Sequence, residues 1–307
     1  MHPAWSVIFF TTLIGWAQGL VVALSIGMLS DRPPTRELLL CGLAVATVLS
    51  IVALGCSFLH LGRPGRAWRS VMMWRTSWLS REVIVAPAFI GWIALWLFAE
   101  SNHRGSAMFP LVAIALALLL WLCTAMIYAC LKFILEWSHP LTIANYVLLG
   151  LASGVLLTAA LAVINGDNRY AIGCSLWGAA LTALALVVRT ASLVRNRRLR
   201  PISTLQSATG IRAPLLKQMS MGMSAGAFNT REFFHGKSRH FVRSVKGSFL
   251  ALVFLVPIAL VLISITTRSA LALFAAVAVQ YVGLLGERWY FFAEARHPQN
   301  LYYQVIG

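Results

Sequence analysis

The chain has 307 residues, 59% of them hydrophobic and only 11% charged, and its mean hydropathy is +0.79. Too few polar side chains remain to cover a water-soluble surface, which excludes an ordinary soluble globular protein and makes this an integral membrane protein. The formal net charge is nevertheless +16, so the basic residues need an account of their own.

A bilayer-crossing helix takes about 20 mostly apolar residues, and lipid leaves the backbone no partner outside a helix or a closed barrel. The apolar runs here are continuous rather than alternating, which selects helices. In chain order eight runs qualify, at 5–29, 38–61, 82–99, 107–130, 141–164, 171–194, 247–267 and 270–290. The opening MHPAWSVIFFTT lacks the basic region and small-residue cleavage site of a signal peptide, so the first run is expected to stay as a span. Residues 1–307 therefore read as one all-α membrane domain of eight transmembrane helices. An even number of crossings puts both termini on one side, and that side carries 20 of the 25 lysines and arginines, against Arg32, Arg36, Arg104, Arg169 and Arg268 opposite. By the positive-inside rule both termini, the loop after the second run and a long loop at about 195–246 between the sixth and seventh are expected in the cytoplasm of a bacterium, with the chain in its inner membrane.

Two further features of the chain concern packing and partners. Gly150 and Gly154 have the small-xxx-small spacing that lets helices approach closely. A basic face of this size suits anionic lipid and an acidic soluble subunit, with Arg66, Arg69, Arg81 and Arg231 as the docking residues. No nucleic-acid-binding motif accompanies the arginines, so nucleic acid is not expected as a partner.

Between the second and third runs lies SFLHLGRPGRAWRSVMMWRTSWLSRE (Ser57–Glu82), with five arginines and three tryptophans. His60 ends the second helix, Gly62 permits a turn and Pro64 blocks simple continuation. Trp68, Trp74 and Trp78 are the rings expected at headgroup level. Ser80 has the chemistry of an N-cap for the third helix, with Glu82 in its first turn.

The histidines and cysteines limit the chemistry. A membrane b-type haem needs two facing imidazoles inside the bundle, whereas His2, His103, His139, His235, His240 and His297 fall in loops or tails, and there is no CxxCH. The five cysteines show no CxxC spacing, so neither haem nor cluster nor other metal is expected in this chain. The spans are nearly free of charge and show no matched pair of broken helices, which leaves a membrane transporter as the weaker alternative. His60 stands at the apolar–aqueous boundary, where a neutral imidazole can hydrogen-bond a quinone carbonyl and exchange a proton with water. His60, Arg63, Glu82 and Glu287 meet there if the second, third and eighth helices are neighbours. Glu287 and Arg288 are also candidates for pairing across helices or relaying protons.

SFLHLGRPGRAWRS, WRTSWLSRE, MGMSAGAFNTREFFHG and GERWYFFAEARHPQNLYYQ, spread from Ser57 to Gln304, resemble the membrane-anchor subunits of the dimethyl sulfoxide reductase family. The resemblance implies a haem-free anchor for a molybdopterin catalytic subunit and an iron–sulfur subunit, exchanging electrons with ubiquinone or menaquinone. It also implies that His60, in the HLG motif, belongs to the quinone site, with Arg63, Trp74, Arg75 and Glu287 as further candidates. The two ends of the chain look most like the sulfite-oxidising, quinone-linked branch, in which the catalytic pair is cytoplasmic. The alternative is a complex running from quinol to a terminal acceptor.

Overall fold

The computed structural model describes residues 5–59, 61, 63–200, 204–216 and 238–296. Every regular element among them is helical. In chain order these are α1 (Trp5–Met28), α2 (Arg36–Phe58), a 3₁₀ helix (Pro64–Met73), α3 (Trp78–Ser101), α4 (Met108–Ala129), α5 (Pro140–Ile164) and α6 (Asn168–Arg198). They continue with the short α7 (Leu205–Thr209), α8 (Arg239–Leu250), a π-helical turn (Ala251–Leu255), α9 (Val256–Thr267) and α10 (Ala270–Glu294). Eight helices are long and apolar enough to cross a membrane, with α8, the π turn and α9 supplying one of them as His240–Thr267.

The expected spans are all found, and several run further than hydropathy implied, α6 and the seventh most of all. α6 continues to Arg198 and the seventh span starts near residue 239, so the expected loop of 195–246 is helical at both ends. Hydropathy registers only the lipid-facing turns, whereas a helix continues past them as long as its backbone bonds persist. Arg231 and the Met/Phe-rich part of that loop lie outside the described residues.

α1 and α5 form the centre of the bundle. In their most apolar 18-residue stretches 78% and 72% of residues are buried, against at most 39% in any other span. α1 and α5 join two lobes, one of α2, α3 and α4 and one of α6, α8, α9 and α10. Lipid tails are as apolar as leucine, so burial of apolar area drives helices together weakly and close shape fit must do the work. The fit is made by glycine. Gly15 and Gly19 face Gly150 and Gly154, and a Cβ on either Gly19 or Gly154 would run into the backbone of the other helix. The Trp16 indole N–H donates to the Ser153 carbonyl at 3.0 Å beside this crossing, and Gln18 Nε2 donates to the Ala117 carbonyl at 2.9 Å, tying α1 to α4. Trp16 also stacks on Tyr281 of α10, with ring centroids 4.5 Å apart. The outer faces present Val48, Ile51, Leu118, Val187 and Leu262, side chains suited to lipid.

The break in the seventh span has a local cause. Pro257 has no N–H to give the Val253 carbonyl four residues earlier. That carbonyl instead accepts from Gln280 Nε2 at 3.3 Å, and Gln280 also donates to Thr182 Oγ1 at 3.2 Å, so one buried amide links α6, the π turn and α10. At one end of the bundle Thr35 N donates to Asp167 Oδ2 at 3.1 Å, while Arg36 donates to the carbonyls at the end of α3. The other end collects the start of α3 and α5 and the close of α2, α4, α6 and α10, and is the arginine-rich end.

Replacing Gly154 with leucine is expected to prevent the α1–α5 crossing and abolish recovery of monodisperse protein in mild detergent. Gln280→Leu, which leaves the Val253 carbonyl and Thr182 without that partner, is expected to cost about 1–2 kcal/mol of stability while the fold is kept. Thermal unfolding followed by size-exclusion recovery checks both.

Candidate functional site

The arginine-rich segment runs out of α2, turns near Leu61 and Arg63, and lies along the bundle end as the 3₁₀ helix packed on α3. Its surface pairs bases with large apolar groups. Arg63, Arg66, Arg69 and Arg75 are exposed, and Trp68 (62%), Met72 (69%) and Trp74 (52%) are open beside them. Arg69 sits 5.6 Å from the Trp68 ring centroid and Arg75 5.4 Å from that of Trp74, so the cations and aromatic faces form one mixed surface. This is the composition of a segment resting where lipid meets water.

Arg81, expected as a docking residue, is engaged by this chain's own backbone. Its guanidinium donates to the Trp74 carbonyl at 2.9 Å and the Arg75 carbonyl at 2.8 Å, and lies 4.1 Å from the Trp78 ring centroid. It thereby fastens the segment to the start of α3. Ser77 rather than Ser80 caps that helix: Ser77 is extended and accepts from Ser80 N at 3.4 Å, so the helix begins one turn before the expected serine. Glu82, which hydropathy puts at the boundary, is 6% exposed, and its carboxylate accepts a hydrogen bond from the Thr124 hydroxyl of α4. His60 lies outside the described residues.

Glu287 is placed elsewhere. α2 and α3 pack on each other, whereas α10 packs chiefly on α1, α5, α8 and α9, so the second, third and eighth spans do not share one boundary site. Glu287 is 1% exposed, and its Oε1 lies 2.8 Å from Nε of Arg189 on α6, which is 2% exposed. Arg288 approaches the other oxygen at 3.6 Å and sits 3.7 Å from the Tyr146 ring centroid. The expected pairing across helices is therefore with Arg189, and Arg288 is a second, weaker contact along the same helix. Two guanidiniums and one carboxylate thus lie among the helices without exposure to lipid, and the aromatic rings of Tyr146 and Phe249 cover the arginines.

Polar side chains continue from this cluster to the bundle end. Asn145 Nδ2 donates to Ser192 Oγ at 2.7 Å, and Asn196 Nδ2 donates to Glu294 at 3.2 Å. These residues line a small cavity with Arg189, Arg195 and His139. His139 caps α5 by accepting from Leu141 N through Nδ1 at 3.1 Å. Burial, and then the nearby Arg195, hold its imidazole below the ordinary range, which keeps that nitrogen unprotonated and able to accept.

Thr124, Tyr146 and Arg189 are the site residues that sequence patterns missed. Each is a single polar residue in an apolar run, and its partner sits on a distant helix. The signal available was depth: Arg189, Glu287 and Arg288 stand about two turns in from their helix ends, too deep for solvent and so in need of one another.

Glu287→Gln leaves two buried guanidiniums without their carboxylate and is expected to cost about 3–5 kcal/mol. Adding Arg189→Met should restore part of that loss. A double-mutant cycle on thermal unfolding in detergent reads the coupling.

A family model described as DMSO reductase anchor subunit (DmsC) matches residues 1–286. The C subunit of the sulfite dehydrogenase of Allochromatium vinosum is 44% identical over 326 aligned positions that cover 100% of both chains. No solved structure matches. With eight membrane-length helices and a match across nearly its whole length, the chain belongs to the DMSO reductase anchor subunit (DmsC) family.

Proposed function

We propose that this chain is the membrane anchor of a sulfite-oxidising complex and passes its electrons to quinone at the foot of the arginine segment. The single observation that carries the site is Glu82, a buried carboxylate held by Thr124 and next in the chain to Arg81, which fastens the exposed segment of tryptophan, methionine and arginine. The full-length likeness to an anchor-family member of a sulfite dehydrogenase supports the branch. Sulfite itself would be oxidised on a molybdopterin partner subunit, with an iron–sulfur partner carrying the electrons to this chain.

The residues fit a quinone, which needs lipid access, aromatic walls and groups that exchange protons with water. Trp74 and Met72 offer the walls, Arg63 and Arg75 the positive charge beside a ring oxygen, and His60 and Glu82 the proton-exchanging groups. Bound quinone supplies the two-electron acceptor chemistry. His60 would hold one carbonyl by a hydrogen bond. Glu82, kept in place by Thr124, would give up a proton and regain one from water. Arg81 acts through the backbone of Trp74 and Arg75, so it positions the segment. Arg66 and Arg69, both exposed, are left for the iron–sulfur partner or anionic headgroups, and Arg231 is proposed with them. The charge imbalance supports a cytoplasmic position for this end, and with it the catalytic partners, at the inner membrane.

In the intact complex, His60→Ala and Glu82→Gln are each expected to lower sulfite-dependent quinone reduction about 10²-fold. Sulfite oxidation with ferricyanide, which takes electrons from the partner subunits directly, should be retained. Unchanged quinone reduction in both variants contradicts the site.

A further inference from the structure

A second cavity, with room for about one water molecule, lies between α1, α4, α5 and α10, against Thr124, the partner of Glu82. Thr124, Trp121, Tyr146, Gln18 and Arg288 contribute to its wall. Trp121 is 1% exposed and Tyr146 3%, yet among the described residues the indole N–H and the phenol hydroxyl have no hydrogen-bond partner. The Tyr128 ring stacks beside that of Tyr146, with centroids 5.9 Å apart, so the two phenols are neighbours at this cavity. Buried donors left bare cost free energy that a single water would recover, and this pocket is polar enough to hold one.

The cavity also stands between two features that are otherwise separate. On one side Thr124 donates to Glu82. On the other, Arg288 covers Tyr146 and reaches Glu287, whose Oε2, like Nη2 of Arg189, has no hydrogen-bond partner among the described residues. Arg189 in turn lines the first cavity, with Asn145, Ser192, Asn196 and Glu294, at the arginine-rich end. Polar atoms therefore run across α6, α10, α5, α4 and α3 within the bundle, between the bundle end and Glu82.

We propose that water fills both cavities and that this buried path, through Tyr146 and Thr124, resupplies Glu82 with protons. The proposal rests on the quinone reading above. Reducing one quinone to quinol takes two electrons from the iron–sulfur partner and two protons from water. Each proton moves by making one O–H bond as the next is broken along the chain of waters and hydroxyls, so every group ends in the state in which it began. The arginines serve to orient water through their fixed fork of N–H donors. Tyr146 and Thr124 are positioning residues that act on quinone through Glu82.

The test uses the whole complex in lipid nanodiscs, with decylubiquinone as acceptor and sulfite as donor. Electron cryo-microscopy is expected to show water density within hydrogen-bond reach of Trp121 Nε1 and the Tyr146 hydroxyl; density for a lipid tail, or a dry cavity, overturns the proposal. Tyr146→Phe keeps the ring under Arg288 and removes the hydroxyl. It should slow quinone reduction about tenfold and raise the solvent deuterium isotope effect, with decylubiquinone affinity and complex assembly unchanged. Thr124→Val should do the same and Thr124→Ser should recover. A Tyr146→Phe complex with wild-type rate and isotope effect overturns the relay alone. A wild-type complex that reduces no quinone at all overturns the reading beneath it.

Discussion

Backbone meets backbone where α1 crosses α5, and the rest of the bundle is arranged around that contact. Inside lipid the usual reward for burying apolar surface is absent, so helices stay together through close fit and interhelical hydrogen bonds. Gly15 and Gly19 against Gly150 and Gly154 bring the two central helices near enough for Trp16 to reach the Ser153 carbonyl. The same crossing sets the depth of Gln18, which holds α4, and of Trp16, which stacks on α10. Both cavities lie beside α5, so their existence follows from where α5 is held.

Polar chemistry gathers at one end because the helix ends there carry the charge. A carboxylate among helices is tolerated only with partners, and Glu82 and Glu287 solve this differently. Glu287 is fixed between two guanidiniums and is suited to organise the cluster. Glu82 has a single hydroxyl partner among its hydrogen bonds, which leaves it freer to exchange a proton. One site thus contributes rigidity and the other reactivity, and Tyr146 lies between them.

The eight spans are legible because lipid demands long apolar runs, and that demand is written residue by residue. The helix ends at Arg198 and Arg239 are not, since helical turns outside the bilayer need no apolar residues. The exposed tryptophans and arginines of residues 63–75 are legible from composition alone. Glu82 shows the limit: its position at the start of a span reads as solvent-facing, and only the packing of α3 on α4 puts it inside, whereas the depth of Arg189 and Glu287 marks them as buried without naming the partner helix. Arg81 reads as a docking charge because sequence gives no view of the carbonyls it fastens. Ser80 reads as the cap because Ser77, the residue that serves, lies outside the apolar run.

The central claim is that quinone binds at the foot of the arginine segment, and photolabelling tests it most directly. The intact complex would be irradiated with a short-chain azidoquinone, with and without excess decylubiquinone, and the labelled peptides mapped by mass spectrometry. The account predicts competed labelling within residues 57–82, on the segment that joins α2 to α3. Competed labelling confined to other helices, or to a partner subunit, would contradict it.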